Sequence, residues 1–238
     1  MRRLRLAERR MNIPKISKRL EAAASFAQRG VRIADIGTDH AYLPIYLYTS
    51  RIISGGVASD INEGPTQRAR INVRAWGAQG AISVVRTDGL HHIEAYSPDQ
   101  IFILGMGGEL IVKILDDAPW VKNGKRLVLQ PMTHPEILRE YLYKNGFDII
   151  DERIVEDDKL YQIICAEYSG NSYTPTEGEL YFGKLNLERG GESLQKLLLH
   201  ARAVYEQRIK GKMIAGADSS HEEAMISNID GILRGEKR

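Results

Sequence analysis

The sequence contains only one cysteine, Cys165, among its 238 residues. This scarcity excludes a disulfide framework and a cysteine-ligated zinc ribbon, and it favours a protein of the reducing cytoplasm. Apolar runs are also short, and none approaches the roughly 18–20 residues that a membrane span requires. The histidines show no paired spacing with cysteine or aspartate, so no metal site is predicted. With 43% hydrophobic residues, the chain can form one globular domain and a smaller appendage.

Charge is nearly balanced overall but uneven along the chain. The formal net charge is +2, whereas residues 1–20 hold eight basic residues and a single acid, Glu8. A basic start on a more acidic body is compatible with an anionic partner. Residues 1–10 are predicted to be an N-terminal extension, either a native basic arm or residues upstream of a natural start at Met11. No apolar segment follows them, so a secretory signal is not predicted.

Short apolar stretches alternate with amphipathic ones from Arg32 onward. Such alternation predicts βαβ units, which form a parallel sheet with helices on both faces. The predicted strands are Arg32–Gly37, Gly56–Ile61, Ile82–Asp88, Gln100–Gly105, Arg126–Pro131, Phe147–Val155 and Tyr161–Tyr168. The predicted helices are one beginning at Met11, then Ala41–Thr49, Pro65–Trp76, Leu90–Tyr96, Glu109–Asp116 and Pro135–Lys144.

The last two predicted strands are joined by only a short link, residues 156–159. Such a link forms a hairpin, so these two strands must be antiparallel to each other. Parallel βα units that end in an antiparallel hairpin are typical of class I methyltransferases, whereas dinucleotide-binding sheets stay parallel. The predicted fold class is therefore α/β, a Rossmann-like class I methyltransferase domain with a seven-stranded sheet over residues 11–170.

The composition changes after Tyr168. Residues 169–191 are rich in serine, glycine, threonine, proline and asparagine, which predicts a linker at residues 171–191. Residues 192–238 hold two apolar stripes at helical spacing, separated by a break at Gly216–Ser220. These residues are predicted to form a C-terminal helical hairpin, or short coiled coil, that is too small to bury a core alone.

The first predicted strand ends in ADIGTDHAYLP, residues 34–44. An acid, a glycine and a helix start are typical of a dinucleotide-binding turn, but Asp39 stands where a further glycine is usual. Asp35 and Asp39 would both repel a pyrophosphate, whereas S-adenosylmethionine carries an ammonium and a sulfonium and no phosphate. The turn therefore favours S-adenosylmethionine over NAD. Alternatively, Asp39 could simply cap the following helix.

The other predicted strand tips also carry polar residues or glycine. Asp60 ends the second strand, where Rossmann-like folds bind ribose hydroxyls. Asp88 and Gly89 follow the third strand, where they could bind adenine or form an ordinary Asp-Gly turn. Gly105 ends the fourth strand with two more glycines close behind, which indicates close approach by a flat ligand. Gln130, at the fifth tip, could hydrogen-bond a base edge or only end the strand.

In this order, the segments ADIGTDHAYLP, ASDI, TDGL, ILGMGG, LVLQP and YQIICAE resemble the TrmK-type bacterial tRNA (adenine(22)-N(1))-methyltransferases. The resemblance runs from about Met11 to Tyr168, and the predicted hairpin fits that family's C-terminal coiled coil. It implies that the methyl-donor site is formed by Asp35, Gly37, Asp60, Ile61, Asp88, Gly89 and Gly105. It also implies that the target base enters at Asp39, His40, Gly105 and Gln130.

The function implied by this resemblance is methyl transfer from the cofactor S-adenosylmethionine to N1 of adenine 22 in tRNA. A cytoplasmic protein is expected, with tRNA as its partner, without membrane or metal, and with a monomer favoured. Basic residues of the first helix could hold phosphates, namely Lys15, Lys18, Arg19 and Arg29. Two alternatives stay open: an NAD-dependent oxidoreductase of similar fold, and a non-catalytic RNA-binding protein on a methyltransferase fold.

Overall fold

The computed structural model describes residues 13–235, so the predicted extension 1–10 lies outside the described residues. Its strands are β1 Arg32–Ile36, β2 Gly55–Asp60, β3 Ile82–Arg86, β4 Gln100–Met106, β5 Arg126–Pro131, β6 Phe147–Glu156 and β7 Leu160–Tyr168. They form one seven-stranded sheet in the order β3-β2-β1-β4-β5-β7-β6.

The sheet is parallel from β1 to β5 and antiparallel at one end. β7 lies between β5 and β6 and pairs antiparallel with both, for example with Val128 opposite Cys165. The predicted seven-stranded sheet with a terminal antiparallel hairpin is therefore confirmed. β1 pairs with both β2 and β4 in parallel. The chain thus reverses its winding between β1 and β4, and in open α/β sheets ligands bind beside the carboxyl ends of the strands at that point.

Helices cover both faces of the sheet. They are α1 Lys18–Ala24, α2 Tyr42–Thr49, α3 Glu63–Ala75, α4 Gly108–Asp116, α5 Pro135–Lys144, α6 Glu177–Phe182, α7 Lys184–Arg189, α8 Glu192–Ala215 and α9 Ser220–Leu233. Successive strand residues point to opposite faces. Along β4, Phe102 therefore packs in the cluster with α1 and α2, while Ile101 and Ile103 pack in the cluster with α4 and α5.

Two predicted helices differ from the structure. α1 begins at Lys18 and not at Met11, because the Ser17 side chain accepts a hydrogen bond from Leu20 N at 3.3 Å and caps the helix there. The helix predicted over Leu90–Tyr96 is only a short 3₁₀ turn, Ile93–Tyr96.

The predicted linker also differs from the structure, because α6 and α7 lie within it. Thr176 and Glu179 form a capping box that starts α6. Both short helices dock on the domain through Arg139 of α5 and Glu152 of β6, whose side chains form a fully buried ion pair. Arg139 Nη1 donates to Leu180 O at 2.9 Å. The division of the chain into a methyltransferase domain, residues 11–170, and a helical hairpin, residues 192–238, remains a prediction.

The predicted C-terminal helical hairpin is present as α8 and α9. The chain turns at Gly216, whose φ is +65°. The two helices share an apolar cluster with α6 that includes Phe182, Leu198, Tyr205 and Met225. Within residues 13–235, no helix combines the length and the apolar character needed to cross a membrane.

Candidate active site at the carboxyl edge of the sheet

Asp35 and Gly37 occupy the carboxyl end of β1 and the turn after it. Asp35 is 7% exposed, and burial raises the pKa of its carboxyl from 3.8 to about 6 against the opposing effect of a hydrogen bond with Thr38. Gly37 has a φ of +76°, a left-handed conformation that favours glycine. A Cβ added there would lie 2.0 Å from Cε of Met106. The turn therefore combines a buried acid, Asp35, with a glycine against which the Met106 side chain packs closely.

Asp39 belongs to a charged cluster and not to a helix cap. Thr38 Oγ1 accepts the hydrogen bond of Ala41 N at 3.0 Å before α2 begins, and no side chain caps this helix, so the alternative that Asp39 is the cap is wrong. Arg68 of α3 donates to Asp39 Oδ1 from both Nε, at 3.1 Å, and Nη2. His40 Nε2 lies 3.1 Å from Asp39 Oδ2. Both oxygens are thus held, although the side chain of Asp39 remains 59% exposed.

The tips of β2 and β3 lie side by side. Asp60 ends β2, and its Oδ1 accepts a hydrogen bond at 2.7 Å from the backbone N–H two residues on. Ile61 follows it and is exposed. Asp88 and Gly89 form the turn after β3, where Gly89 has a φ of +51°. Because Thr87 N donates to Asp60 O at 3.1 Å, this turn is held next to the β2 tip.

Gly105 and Gln130 lie at the ends of β4 and β5, beside the guanidinium of Arg19 from α1. Gln130 is 1% exposed. Its Nε2 donates to Pro131 O at 2.9 Å, and its Oε1 accepts from Arg19 Nη1 at 2.6 Å. A Cβ added at Gly105 would lie 3.6 Å from the same Nη1. Gln130 is therefore covered and fully engaged, and its amide supports Arg19.

A cavity of about 260 Å³ opens at this edge. It is lined by Arg19, Leu20, Asp35, Gly37, Thr38, Asp39, His40, Ala41, Tyr42, Leu43 and Leu104. The structure therefore brings Asp35, Gly37, Asp39 and His40 together around one space. The remaining predicted residues lie on the same edge outside this lining: Asp60, Ile61, Asp88, Gly89, Gly105 and Gln130. Across residues 13–235, no group of three or more His, Cys, Asp or Glu side chains is arranged to hold a metal ion.

Comparison with known proteins gives two consistent findings on sequence. A family model described as a methyltransferase domain matches residues 16–164. A protein of Bacillus subtilis (strain 168) named tRNA (adenine(22)-N(1))-methyltransferase is 40% identical over 209 residues, which cover 83% of this chain and 87% of the relative. The chain belongs to the tRNA (adenine(22)-N(1))-methyltransferase family.

Solved structures of this methyltransferase family agree with the fold. Streptococcus pneumoniae Sp1610 in complex with S-adenosyl-L-methionine has a TM-score of 0.83 at 32% identity, over 92% of this chain and all of that one. The Bacillus subtilis m1A22 tRNA methyltransferase TrmK has a TM-score of 0.75 at 33% identity, over 93% of this chain and 98% of that one. The predicted family and fold class are confirmed, and methyl transfer is favoured over the NAD-dependent alternative.

Two residues at the site of this methyltransferase were missed by the sequence analysis. The sequence predicts Arg19 only as a phosphate ligand, yet Arg19 lines the cavity. Its spacing carries a signal, because it stands four residues before Ala23, a buried residue of α1. Arg68 carries no comparable signal, since several arginines of α3 are exposed and only the packing of α3 brings this one to Asp39.

Proposed function

We propose that the protein transfers a methyl group from S-adenosylmethionine to N1 of adenine 22 in tRNA. The observation that carries this proposal is the cavity in which Asp35, Gly37 and Asp39 meet, in a chain 40% identical to a protein named for this reaction. The cavity lies where open α/β sheets bind their ligands.

The residues of this edge fit a cationic donor that has no phosphate. Asp35 offers a buried carboxylate to an ammonium group, while the space beside Gly37 is occupied by the Met106 side chain. Asp60 has its Oδ1 bonded to the backbone, which leaves Oδ2 for ribose hydroxyls. The rest of the donor site is assigned to Ile61, Asp88, Gly89 and Gly105. When bound, S-adenosylmethionine supplies an electrophilic methyl group.

Methylation of the target base depends on its alignment with the donor and on electrostatic stabilisation of the transition state. Adenine N1 carries a free lone pair at neutral pH, so no covalent protein intermediate is required. In a duplex that atom is paired, so the base must leave the stack before it reacts. The base site is assigned to Asp39, His40 and Gly105, whereas Gln130 is covered and acts only through its hydrogen bond with Arg19. The His40 ring stacks on the exposed ring of Tyr42 with centroids 5.1 Å apart, which gives an aromatic surface for a base.

The proposed partners are tRNA and the methyl donor. Lys15, Lys18 and Arg29 are exposed around α1 and are suited to phosphate contacts. A cytoplasmic location is supported by the single cysteine, Cys165, which is buried in β7 as a thiol. The monomeric state remains a prediction.

The direct test is incubation of the protein with labelled S-adenosylmethionine and unmodified tRNA, followed by nucleoside analysis. We expect label in 1-methyladenosine at position 22, and no label when guanosine replaces that adenine. Donor binding without any label in the tRNA would instead support the non-catalytic alternative.

Replacing Asp60 with alanine should weaken donor binding by about 10- to 100-fold, because hydrogen bonds to the ribose would be lost at roughly 0.5–1.5 kcal/mol each. Calorimetric titration with S-adenosylmethionine measures the effect. Asp148→Ala, a change at an exposed acid of β6, is the control and should bind the donor normally. Equal affinity of Asp60→Ala and wild type would contradict the ribose assignment.

Replacing Asp35 with asparagine should raise stability and abolish tight donor binding. The folded-state pKa of about 6 lies above the ordinary value of 3.8, so the free energy of unfolding falls as pH rises between these values and stays lower above them. Asparagine is neutral and of nearly equal size, so it avoids this loss of stability. The free energy of unfolding should rise by up to about 3 kcal/mol at pH 7. Denaturant titration should show greater stability, whereas a less stable variant would contradict the assignment.

The same carboxyl should make donor affinity depend on pH. Asp35 can bind an ammonium only when ionised, and its pKa lies at about 6. Between pH 7 and pH 5 the wild-type affinity should therefore fall about tenfold. In Asp35→Asn this dependence should vanish, and a dependence that persists in the variant would point to another group.

A further inference from the structure

Helices α1, α2 and α3 lie side by side on one face of the sheet, and the proposed function places phosphate contacts around α1 alone. We propose that the tRNA backbone continues from the cavity across α2 and α3, where Arg51 and Arg74 bind its phosphates. This inference rests on the proposed function and assigns a second flank of the tRNA-binding surface.

Acidic residues are scarce along α2 and α3. α2 has no charged side chain, and residues 64–87 hold four arginines and no acid. α4, on the opposite face of the sheet, instead has two acids, Glu109 and Asp116, and one base, Lys113. A polyanion is therefore attracted to the α2–α3 side of the domain and not to the α4 side.

Arg51 and Arg74 have no acidic partner. Both are exposed, and among residues 13–235 no carboxylate oxygen lies within 4.0 Å of either guanidinium. The other arginines between residues 64 and 87 are paired with acids: Arg68 with Asp39, and Arg70 and Arg86 with Glu63. The charge of Arg51 and Arg74 is therefore free to bind a phosphate, which a guanidinium can hold through two parallel hydrogen bonds.

These two arginines lie at the same end of the α2–α3 layer. Each helix follows a parallel strand, so both begin at the carboxyl edge of the sheet and run away from it. Tyr48 of α2 and Val73 of α3 pack in one apolar cluster, and the two arginines come shortly after them. Arg74 is six residues beyond Arg68, which corresponds to about 9 Å along the helix axis. Positive charge therefore extends from the rim of the cavity down the side of the domain.

The cavity lies between the cations of α1 and those of α3. Its walls include Leu20 of α1 and Tyr42 of α2. A base that enters it leaves its backbone at the rim, so the strand continues over α1 in one direction and over α2 and α3 in the other. Ile71 stands between Arg68 and Arg74 on α3 and is 65% exposed, which offers an apolar surface to the sugars. An acidic protein would also be attracted by these arginines, but their continuity with the cavity favours the substrate RNA.

The test measures tRNA binding by fluorescence anisotropy over a range of salt concentrations. Arg74→Gln should weaken binding about 3- to 10-fold and reduce the slope of log affinity against log salt by about 1. The double variant with Arg51→Gln should lose about 2 from that slope. Donor affinity and the methylation rate at saturating tRNA should stay at the wild-type values, because the cavity is unchanged.

Position 71 tests the path of the backbone without removing an arginine. Ile71→Glu places an acid between Arg68 and Arg74 and should weaken tRNA binding more than Ile71→Gln, which is polar but neutral. Both variants replace an exposed side chain, so their melting temperatures should stay close to that of the wild type. Equal binding by the two variants would show that no phosphate passes this point and would overturn the inference.

Lys113→Gln is the matched control, because it removes an exposed cation from α4 on the other face of the sheet. It should bind tRNA normally. If it weakened binding as much as Arg74→Gln, net charge and not position would matter, and the inference would be overturned. An Arg74→Gln variant with wild-type affinity and slope would overturn it too, yet would leave the proposed function intact. A wild type that neither binds nor methylates tRNA would contradict the proposed function itself.

Discussion

Replacing Arg139 with methionine should lower the free energy of unfolding by about 3–5 kcal/mol, because it leaves a buried carboxylate without its partner. Both Arg139 and Glu152 are 0% exposed in their side chains. Arg139 donates to Glu152 Oε2 from Nε at 3.1 Å and from Nη2 at 2.7 Å. In methionine these donors are absent, while Glu152 remains enclosed by α5, β6 and α7.

The loss should extend beyond the ion pair, because the pair docks the segment after the sheet. Arg139 Nη1 donates to Leu180 O in α6, and Glu152 Oε1 accepts from Leu185 N in α7 at 2.9 Å. Gly183 lies between the two helices, and a Cβ there would fall 2.2 Å from Glu152 Oε2. Protease sensitivity should therefore rise first around residues 177–189.

Thermal and denaturant unfolding would measure the effect. Lys144→Met is the matched control, since Lys144 lies on the same helix in an exposed pair with Glu140 and should cost at most about 0.5 kcal/mol. Adding Glu152→Gln to Arg139→Met removes the unpaired charge and should recover part of the loss. A single variant as stable as the wild type would show that the buried pair contributes nothing to docking.

The docking of α6 and α7 on the domain could not be predicted from the sequence. The strands were predictable because parallel strands buried on both faces leave short apolar runs, and the hairpin followed from the length of one link. Arg139 and Glu152 carry no such pattern, because a charged residue in an amphipathic segment normally points to solvent. The serine, glycine and proline content of the segment after the sheet predicts a linker, although the capping box of Thr176 and Glu179 is a local signal for a helix.

Part of the candidate site could likewise be predicted from the sequence, and part of it could not. Asp35, Asp60 and Asp88 could be placed at one edge because the carboxyl ends of parallel strands meet there. Contacts between side chains on different helices could not be predicted, because they depend on the rotation and tilt of each helix. Arg68 is 29 residues from Asp39 along the chain, and its contact exists only because α3 packs as it does. Gln130 was expected to face the base, whereas the structure engages its amide with Arg19.

Replacing Asp39 with asparagine should lower the methylation rate on the order of 10²-fold, a typical cost of losing one preorganised electrostatic contact. During transfer, positive charge arrives on the adenine ring, so the product base is cationic. A carboxylate beside the N1–N6 edge would stabilise that charge and accept a hydrogen bond from the exocyclic amine. Arg68 and His40 hold the two oxygens of Asp39, so the group needs no reorientation when the charge develops.

The structure makes this substitution a clean test of charge. Because Asp39 makes no capping hydrogen bond to α2, Asp39→Asn should leave the melting temperature unchanged. Donor affinity, measured by calorimetry, should also stay close to that of the wild type, since Asp35 and Asp60 are intact. Single-turnover methylation of tRNA with saturating donor then reports the chemical step alone. Arg68→Met keeps the carboxylate but removes one of its supports, so it should cost less than Asp39→Asn. If Asp39→Asn instead turns over at the wild-type rate, its charge does not act on the base, and the cluster with Arg68 and His40 serves only to fix the turn before α2.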